Sequence, residues 1–419
     1  MTMNYFREKM PELNIPDLSI IMIWLIFFIG LFLRGVVFVS PHMEGDERIY
    51  STLVEQLNSG HGYTLLGSSL LEKGAIVNEQ YNTKLFHHPP GGIALFWLFG
   101  KIFGKSGYGL VQLFSYAVFF CSMISLGKFF CRSSSKIGLI TVASLSAFNP
   151  IMTHVTTHYW LDGPLLAFSS LSLAVFLQAL DKRNAVMILV AGLIFAYACL
   201  IKQTAFFIVP GALLLAWFVL GKNDRTNFLR YVLYFLIPAV IVHIPWIVWR
   251  YTLGLPFLGS AGKPLKALID SNQYIYFVTV VRSPWIYLTL LPRIIWTLIP
   301  SLVLYLIVWK DSKIRILGSF FIIWIVFILG VHITLGYAGY SKLLRYVILI
   351  TPATIILFSL LLDDIVQKLH DNFFTGPTRG AVMRMLFISG VAVLMEIATG
   401  VKSSIYFLSA IITPIIGTN

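Results

Sequence analysis

Residues 19–41 read SIIMIWLIFFIGLFLRGVVFVSP, an apolar run in which Arg34 is the one charged residue. At a rise of about 1.5 Å per residue, a helix of this length crosses the hydrocarbon core of a bilayer, which is about 30 Å thick. Other apolar runs of 18 residues or more follow along the chain. The sequence therefore predicts a membrane protein built from spanning helices.

The composition of the whole chain indicates the same class. Of its 419 residues, 58% are hydrophobic and 12% are charged, and the mean hydropathy is +0.82. Soluble domains carry about 25% charged residues, which excludes a soluble enzyme, a disordered protein and a nucleic-acid-binding protein despite the net charge of +13. The long apolar runs also exclude an outer-membrane barrel, whose strands are short and alternate in polarity.

The cysteines and the first residues give two further expectations. Cys121, Cys131 and Cys199 lie in or beside apolar runs, so neither a disulfide framework nor a cysteine metal site is expected. The polar start, residues 1–19, leads directly into the first run, and we expect no cleavable signal peptide.

The predicted fold class is an all-α polytopic transmembrane helical bundle of about 11–13 spans. Its long first extracytoplasmic loop, residues 42–108, carries interfacial helices; the apolar stretch 89–104 in it is too short to span and is predicted to be re-entrant or interfacial. We divide the chain into a transmembrane core, 1–365, and C-terminal transmembrane segments, 366–419. The predicted spans cover residues 19–41, 109–127, 137–153, 163–180, 185–200, 204–220, 231–249, 294–309, 316–335, 346–362 and 385–399, with a further candidate at 404–417.

The distribution of lysine and arginine predicts the orientation. With a cytoplasmic N-terminus, the inner segments hold 16 Lys and Arg in 69 residues, whereas the outer segments hold 14 in 137 residues. Because positive residues concentrate on the cytoplasmic side, we expect the N-terminus inside and the long segments 42–108 and 250–293 outside a cell (inner or plasma) membrane. The absence of internal repeats weakens a transporter interpretation.

The first outer segment carries a group of acids followed by an amphipathic pattern. Asp46 and Glu47 precede apolar residues at helical spacing, and Gly60 offers a left-handed stop. Asp46 is interpreted either as the N-cap of this helix or, with Glu47, as a carboxylate pair in which one acid serves as a general base. His87 and His88 precede Pro89-Pro90-Gly91-Gly92, and hydrogen bonding is favoured over metal binding because neighbouring side chains on extended backbone point apart.

The motifs of this segment resemble a known group of membrane enzymes. They are Gly45-Asp46-Glu47-x-x-Tyr50, then Leu57-Asn58-Ser59-Gly60-His61-Gly62-Tyr63, then His88-Pro89-Pro90. In this order they resemble the start of the protein O-mannosyltransferase and aminoarabinose-transferase group. That group belongs to the C-type superfamily of glycosyltransferases, which use polyprenyl-phosphate-linked sugars.

Three later motifs agree with the resemblance, which runs from about residue 35 to residue 365. They are Tyr159-Trp160-Leu161-Asp162-Gly163-Pro164-Leu165, Leu200-Ile201-Lys202, and Leu344-Arg345-Tyr346-Val347 followed by Pro352. One motif departs from the pattern, since the aminoarabinose branch carries Glu-Lys-Pro-Pro where this chain has His87-His88-Pro89-Pro90. The zinc and phosphate roles suggested for that branch therefore do not carry over.

The resemblance implies an enzyme that moves a sugar, a hexose or a pentose, from a polyprenyl phosphate to an acceptor hydroxyl, with inversion at the anomeric carbon. The implied acceptor is a glycan, a glycolipid or a protein. No cofactor is required by the motifs, no metal ligands are assigned, and a divalent metal is left open. The site residues that we assign are catalytic Asp46, Glu47 and Asp162, with Asp46 as base; phosphate-binding Lys202, Lys342, Arg345 and Tyr346; and substrate-binding Tyr50, Lys84, His87 and His88.

Several of these residues have a second interpretation. Lys202, Lys342 and Arg345 could extend to lipid headgroups, and Asp162 could cap the helix that contains Pro164. Arg34, inside the first span, should pair with Asp162 or with the Asp46–Glu47 pair, and Glu396 has no assigned role.

Two rival functions remain open at this point. One is a transporter or flippase of a lipid-linked sugar, and the other is a glycan ligase that uses a diphosphate donor. Aromatic and basic residues in 250–293 are interpreted as an acceptor site or as an interfacial belt.

Overall fold

The computed structural model describes residues 18–39, 45–72, 83–131, 136–220, 225–255, 285–337, 344–371, 373 and 376–416. Helices make up nearly all of these residues, which confirms the predicted all-α membrane bundle. In the first part of the chain they are α1 (Leu18–Arg34), α2 (Asp46–Asn58), α3 (Ser69–Glu72), α4 (Gly91–Phe103), α5 (Gly107–Phe130), α6 (Lys136–Phe148), α7 (Pro150–Thr156) and α8 (Asp162–Asp181). The remaining helices are α9 (Ala185–Ile201), α10 (Val209–Leu220), α11 (Arg225–Thr252), α12 (Ile286–Ile294), α13 (Leu298–Ile307), α14 (Ser312–Tyr337), α15 (Thr351–His370) and α16 (Gly376–Ile416).

By length and composition, 8 helices of the described residues are able to cross a membrane, or up to 10 if each of two bent pairs is one span. The apolar helix α9 has 17 residues and is shorter than these. The predicted 11–13 spans thus exceed the number of long apolar helices. Short 3₁₀ segments at Gly35–Phe38, Gln203–Ile208 and Leu344–Ile350 extend α1, α10 and α15 at the ends nearest the candidate site described below.

Two predicted spans are bent. The helix predicted at 137–153 divides at Asn149, where α6 and α7 meet at 42°, because Pro150 lacks the backbone N–H that would continue the helix. Asn149 Oδ1 accepts instead from Ile151 N and Met152 N. The span predicted at 294–309 is also not straight, since α12 and α13 meet at 87°.

The C-terminal helix differs from its prediction as well. The two separate segments predicted at 385–399 and 404–417 form one continuous helix, α16. Gly400, where the break was expected, packs against the backbone carbonyl of Phe148, and a Cβ there would overlap that oxygen. This glycine serves close helix packing at the bend between α6 and α7.

The helix α2 agrees with its amphipathic pattern. It begins at Asp46, buries Ile49, Leu53 and Val54, and ends before Gly60, which adopts the left-handed conformation at φ +77°. The predicted short apolar helix is also present as α4, which packs against α2, α5 and α9. Gly91, the first residue of α4, lies against Leu200, which places the N-terminal end of α4 beside the C-terminal end of α9.

Candidate active site

Four separate pieces of the chain meet at one end of the bundle. They are the start of α2, the connection between α7 and α8, the break after α9 and the 3₁₀ segment Leu344–Ile350. Contacts among their side chains join Asp46, Asp162, Lys202 and Arg345, four residues assigned to the site from the sequence. We call these four residues the charged cluster.

Arg345 is the centre of the charged cluster. Its Nη2 donates a hydrogen bond to Asp46 Oδ2, and its Nη1 lies 4.0 Å from Asp162 Oδ2. The guanidinium carbon also lies 4.5 Å from the centroid of the Trp160 ring. Its Nε–H is buried and has no hydrogen-bond partner among the described residues. The Arg345 guanidinium thus lies between the carboxylates of Asp46 and Asp162, and its buried Nε–H donor stays unused.

Lys202 binds the other side of Asp162. Its Nζ lies 2.7 Å from Asp162 Oδ1, and both side chains are nearly buried. The backbone explains this position, because Lys202 adopts an extended conformation (φ −156°, ψ 129°) that ends α9. Its ammonium group also lies 5.2 Å from the centre of the Tyr346 ring. The predicted capping role of Asp162 is absent, since its carboxylate accepts from Lys202 and Leu161 is the N-cap residue.

Glu47 has different partners from its neighbour Asp46. Its Oε1 accepts a hydrogen bond from the backbone N–H of Tyr159 at 2.7 Å and lies 3.0 Å from His158 Nδ1. The interpretation of Asp46 as N-cap is wrong, because Gly45 occupies that position without a side-chain bond. The two acids also differ in exposure: the Asp46 side chain is 32% exposed, whereas Glu47 is 6% and Asp162 2% exposed.

Burial changes the chemistry of Tyr159, which follows His158. Removal from water raises the pKa of the Tyr159 phenol, and the nearby Glu47 carboxylate raises this pKa further. The phenol therefore stays protonated and donates to the carbonyl oxygen of Val37 at 3.2 Å. This bond ties the connection between α7 and α8 to the segment that follows α1.

Histidine and tryptophan side chains beside the cluster were not assigned from the sequence. The rings of His158 and Trp160 stack at 4.1 Å with an interplanar angle of 10°, and His154 packs edge-on against both. A signal was present in the sequence, because only Leu161 separates His158-Tyr159-Trp160 from Asp162. The partners of these rings could not be read from it.

The Pro89-Pro90-Gly91-Gly92 motif brings α4 onto the cluster. A Cβ on Gly91 would lie 2.9 Å from the backbone carbonyl of Leu200, and one on Gly92 would lie 2.5 Å from Leu161. The rings of His87 and His88, just before the motif, lie 4.2 Å apart. The expectation that they point apart is therefore wrong. His88 lies within electrostatic range of Asp162.

The remaining assigned residues occupy varied positions. Tyr50 is buried one turn after Asp46 and lies within electrostatic range of Arg345. Tyr346 lies 5.6 Å from the Arg345 guanidinium. Lys84 is exposed, and within the described part of the chain no contact joins it to the cluster. Lys342 lies outside the described residues.

Arg34 does not pair with the acids expected for it. Its guanidinium donates to Thr156 Oγ1 and to the carbonyl oxygens of Gly30 and Ala147, at 2.8 to 2.9 Å, and lies 3.9 Å from the Tyr116 ring. Carbonyl and hydroxyl oxygens thus satisfy this buried cation, and the acids of the site remain available to Lys202 and Arg345. Among the described residues, no three His, Cys, Asp or Glu side chains are grouped as metal ligands.

Comparisons with known proteins find a family and two solved structures that are similar to this chain. The model of the dolichyl-phosphate-mannose-protein mannosyltransferase family matches residues 87–249. The fold is similar to that of the Archaeoglobus fulgidus oligosaccharyltransferase in the apo form, with a TM-score of 0.61 and 13% identity over 92% of this chain and 56% of that chain. The A. fulgidus oligosaccharyltransferase AglB in complex with an inhibitory peptide and a dolichol-phosphate matches with a TM-score of 0.48 and 14% identity, over 93% of this chain and 56% of that chain. A search of curated proteins finds no significant match.

These findings confirm the resemblance predicted from the motifs. The family match covers His87, His88, Asp162 and Lys202, and the apo oligosaccharyltransferase shares the fold. The chain spans about half the length of that solved structure. The multiple apolar helices make the protein a multi-pass membrane protein.

Proposed function

We propose that the protein is a membrane glycosyltransferase that moves a sugar from a polyprenyl-phosphate donor to an acceptor hydroxyl. The observation that carries this proposal is the unused, buried Nε–H of Arg345 at the centre of the charged cluster. A buried donor without a partner costs about 1–3 kcal/mol, and a phosphate oxygen would satisfy it. The family match supports a lipid-linked donor.

The donor phosphate is assigned to Arg345 and Lys202. The leaving group of a polyprenyl-phosphate sugar is a phosphate that already carries negative charge, so it needs cations rather than a strong acid. Arg345 offers a planar fork, and Lys202 a point charge. Tyr346 lies beside both cations. We retain Lys342 in the phosphate site from its motif.

The general base is assigned to Asp46, because a base must reach the acceptor. Of the three acids assigned a catalytic role, Asp46 is the exposed one, at 32%. In the proposed reaction the acceptor O–H gives its proton to the Asp46 carboxylate while its oxygen attacks the anomeric carbon. The bond from that carbon to the phosphate oxygen breaks, its electrons stay on the phosphate, and polyprenyl phosphate leaves. Attack opposite the leaving group inverts the anomeric centre.

Arg345 links base and leaving group in this scheme. Its guanidinium donates a hydrogen bond to the Asp46 carboxylate, and the same guanidinium carries the unused Nε–H that is assigned to the donor phosphate. One side chain therefore holds the base next to the phosphate.

The other assigned residues orient these groups. Asp162 lies between Lys202 and Arg345, and Glu47 holds the connection that carries His158 and Tyr159. Tyr50, Lys84, His87 and His88 are assigned to the sugar or the acceptor. The lysine and arginine distribution supports an extracytoplasmic site in the inner or plasma membrane.

The experiment combines lipid identification with transfer. Mass spectrometry of the lipid that copurifies with the protein should find a polyprenyl monophosphate sugar; a diphosphate oligosaccharide would instead indicate the ligase. Purified protein should then transfer the sugar of a matching donor, with the product anomer determined by NMR.

A variant pair tests the base. Asp46→Asn should abolish transfer, while Asp181→Asn, at the exposed far end of the helix that begins at Asp162, should keep wild-type transfer. Both variants should elute as the wild type in size-exclusion chromatography. Wild-type transfer by Asp46→Asn would remove Asp46 as base.

A further inference from the structure

The Trp160 side chain lies between two groups of different character. On the site side, the Arg345 guanidinium lies 4.5 Å from its ring centroid. The imidazole of His158 stacks on the same indole at 4.1 Å and 10°. Trp160 therefore joins a residue assigned to the phosphate with a residue outside the charged cluster.

Contacts from three other parts of the chain hold this arrangement. Glu47 accepts from Tyr159 N and lies 3.0 Å from His158 Nδ1, which anchors the connection to α2. Gln112 Nε2 of α5 donates to the Trp160 carbonyl oxygen at 2.8 Å. Tyr159 Oη donates to the Val37 carbonyl oxygen after α1. The ring of Trp160 is thus fixed at its backbone and on a ring face.

The Arg345 side chain needs such a support. Its hydrogen bond to Asp46 reaches a side chain that is 32% exposed, and its contact with Asp162 is 4.0 Å long. A guanidinium recognises phosphate through the orientation of its planar fork, and a flat ring beneath it restricts that orientation. Stacking on tryptophan is also the strongest cation–π arrangement.

We propose that Trp160, with His158 stacked on it and Glu47 anchoring them, is a positioning residue that sets the guanidinium plane of Arg345 for the donor phosphate. This role rests on the proposed function. It gives Glu47 and His158 a task distinct from proton transfer: they hold the indole in place. It also extends the donor site to three residues, Glu47, His158 and Trp160, that act through Arg345.

The test measures donor binding and turnover separately. Trp160→Leu removes the ring and should raise the apparent donor KM, and the inhibition constant of sugar-free polyprenyl phosphate, by roughly fivefold to thirtyfold, the range expected for a desolvated cation–π contact. The kcat and the acceptor KM should change less than twofold. Trp160→Phe keeps a smaller ring. Its donor KM and inhibition constant should lie about halfway, on a logarithmic scale, between those of the wild type and Trp160→Leu.

The matched control is Trp309, which pairs with Arg315 at 5.7 Å outside the charged cluster. Trp309→Leu should leave the donor KM unchanged. A double-mutant cycle between Trp160→Phe and Arg345→Lys, read by the inhibition constant of polyprenyl phosphate, should show non-additive losses.

The outcomes separate this inference from the proposed function. If the wild type binds polyprenyl phosphate and both Trp160 variants bind it equally well, the positioning role is wrong and the proposed function stands. Additive losses in the cycle would also overturn the positioning role. If wild-type protein fails to bind polyprenyl phosphate, the proposed function falls, and this role falls with it.

Discussion

The ammonium group of Lys202 lies 2.7 Å from Asp162 Oδ1, and neither side chain is more than 10% exposed. A buried ion pair adds little net stability compared with apolar residues of the same size, because both charges lose their water. Removal of one partner is costly, since the other charge is left buried and uncompensated. This asymmetry makes it possible to separate the structural role of the pair from its proposed role in the reaction.

Lys202→Met and Asp162→Asn should each lower the free energy of unfolding by about 3–5 kcal/mol. The double variant should recover most of this loss and still bind the donor more weakly than the wild type, because one of the cations assigned to the phosphate is gone. Thermal unfolding in detergent measures the first effect, and inhibition by polyprenyl phosphate the second. The control is the ion pair between Lys368 and Asp364, whose charged atoms are also 2.7 Å apart. A double variant of this pair should transfer sugar at the wild-type rate. Wild-type donor affinity in the Lys202/Asp162 double variant would make the pair purely structural.

Arg345→Ala should weaken donor binding far more than acceptor binding. Hydrogen bonds to charged groups contribute about 1.5–3 kcal/mol, so the donor KM should rise about tenfold to hundredfold. Arg345→Lys keeps the positive charge but loses the planar guanidinium. Its donor KM should therefore lie between those of the wild type and Arg345→Ala. Steady-state kinetics with each substrate varied in turn provides the measurement. Arg315→Ala, outside the cluster, serves as the control, and an unchanged donor KM in Arg345→Ala would remove Arg345 from the phosphate site.

Gly91→Ala should destabilise the protein and reduce transfer together. The new Cβ would lie 2.9 Å from the backbone of Leu200, two residues before Lys202, so α4 or the end of α9 must shift. In the same helix, a Cβ on Gly100 meets nothing within 4 Å. Gly100→Ala should therefore be neutral or stabilising by up to about 1 kcal/mol. Melting temperatures and transfer rates of the two variants test this, and equal behaviour would contradict the close approach of α4 to α9.

Glu396→Leu should lower the melting temperature more than Glu396→Gln. The Glu396 carboxylate accepts hydrogen bonds from Asn149 Nδ2, Thr297 N and Thr297 Oγ1, at 2.8 to 3.1 Å. Leucine leaves these donors without an acceptor, at about 1–3 kcal/mol for each one that stays buried, whereas the amide oxygen of glutamine still accepts. Transfer per folded molecule should stay unchanged in both variants. Equal melting temperatures would contradict a stabilising role of these hydrogen bonds.

The sequence predicted most of the helices, and its motifs singled out residues that the structure brings together. Apolar runs located most spans, because a helix in lipid must be apolar over its length, and Gly60 correctly marked the end of α2. Four residues singled out by motifs, Asp46, Asp162, Lys202 and Arg345, lie together in the structure. The motifs indicate this proximity because each of them lies at a helix end on the same side of the bundle.

The pairing of charges could not be predicted in the same way. Arg34 was expected to bind an acid, yet it binds carbonyl and hydroxyl oxygens, because the bend at Asn149 turns the Ala147 carbonyl and Thr156 toward it. The partners of Glu396 lie at the two bends, Asn149 between α6 and α7 and Thr297 between α12 and α13. Partners of this kind arise from helix packing and bending, which a hydropathy pattern does not encode.

Asp46 and Arg345 are 299 positions apart in the chain. A ribosome that adds about 5–20 residues per second needs roughly 15 to 60 s to make the stretch between them. Until Arg345 is made, the nascent protein holds Asp46 without its guanidinium, and Asp162, once it is made, without at least one of its two cations. The charged cluster is therefore completed late in biosynthesis, and a growing chain cannot engage the proposed donor lipid through Arg345 before then.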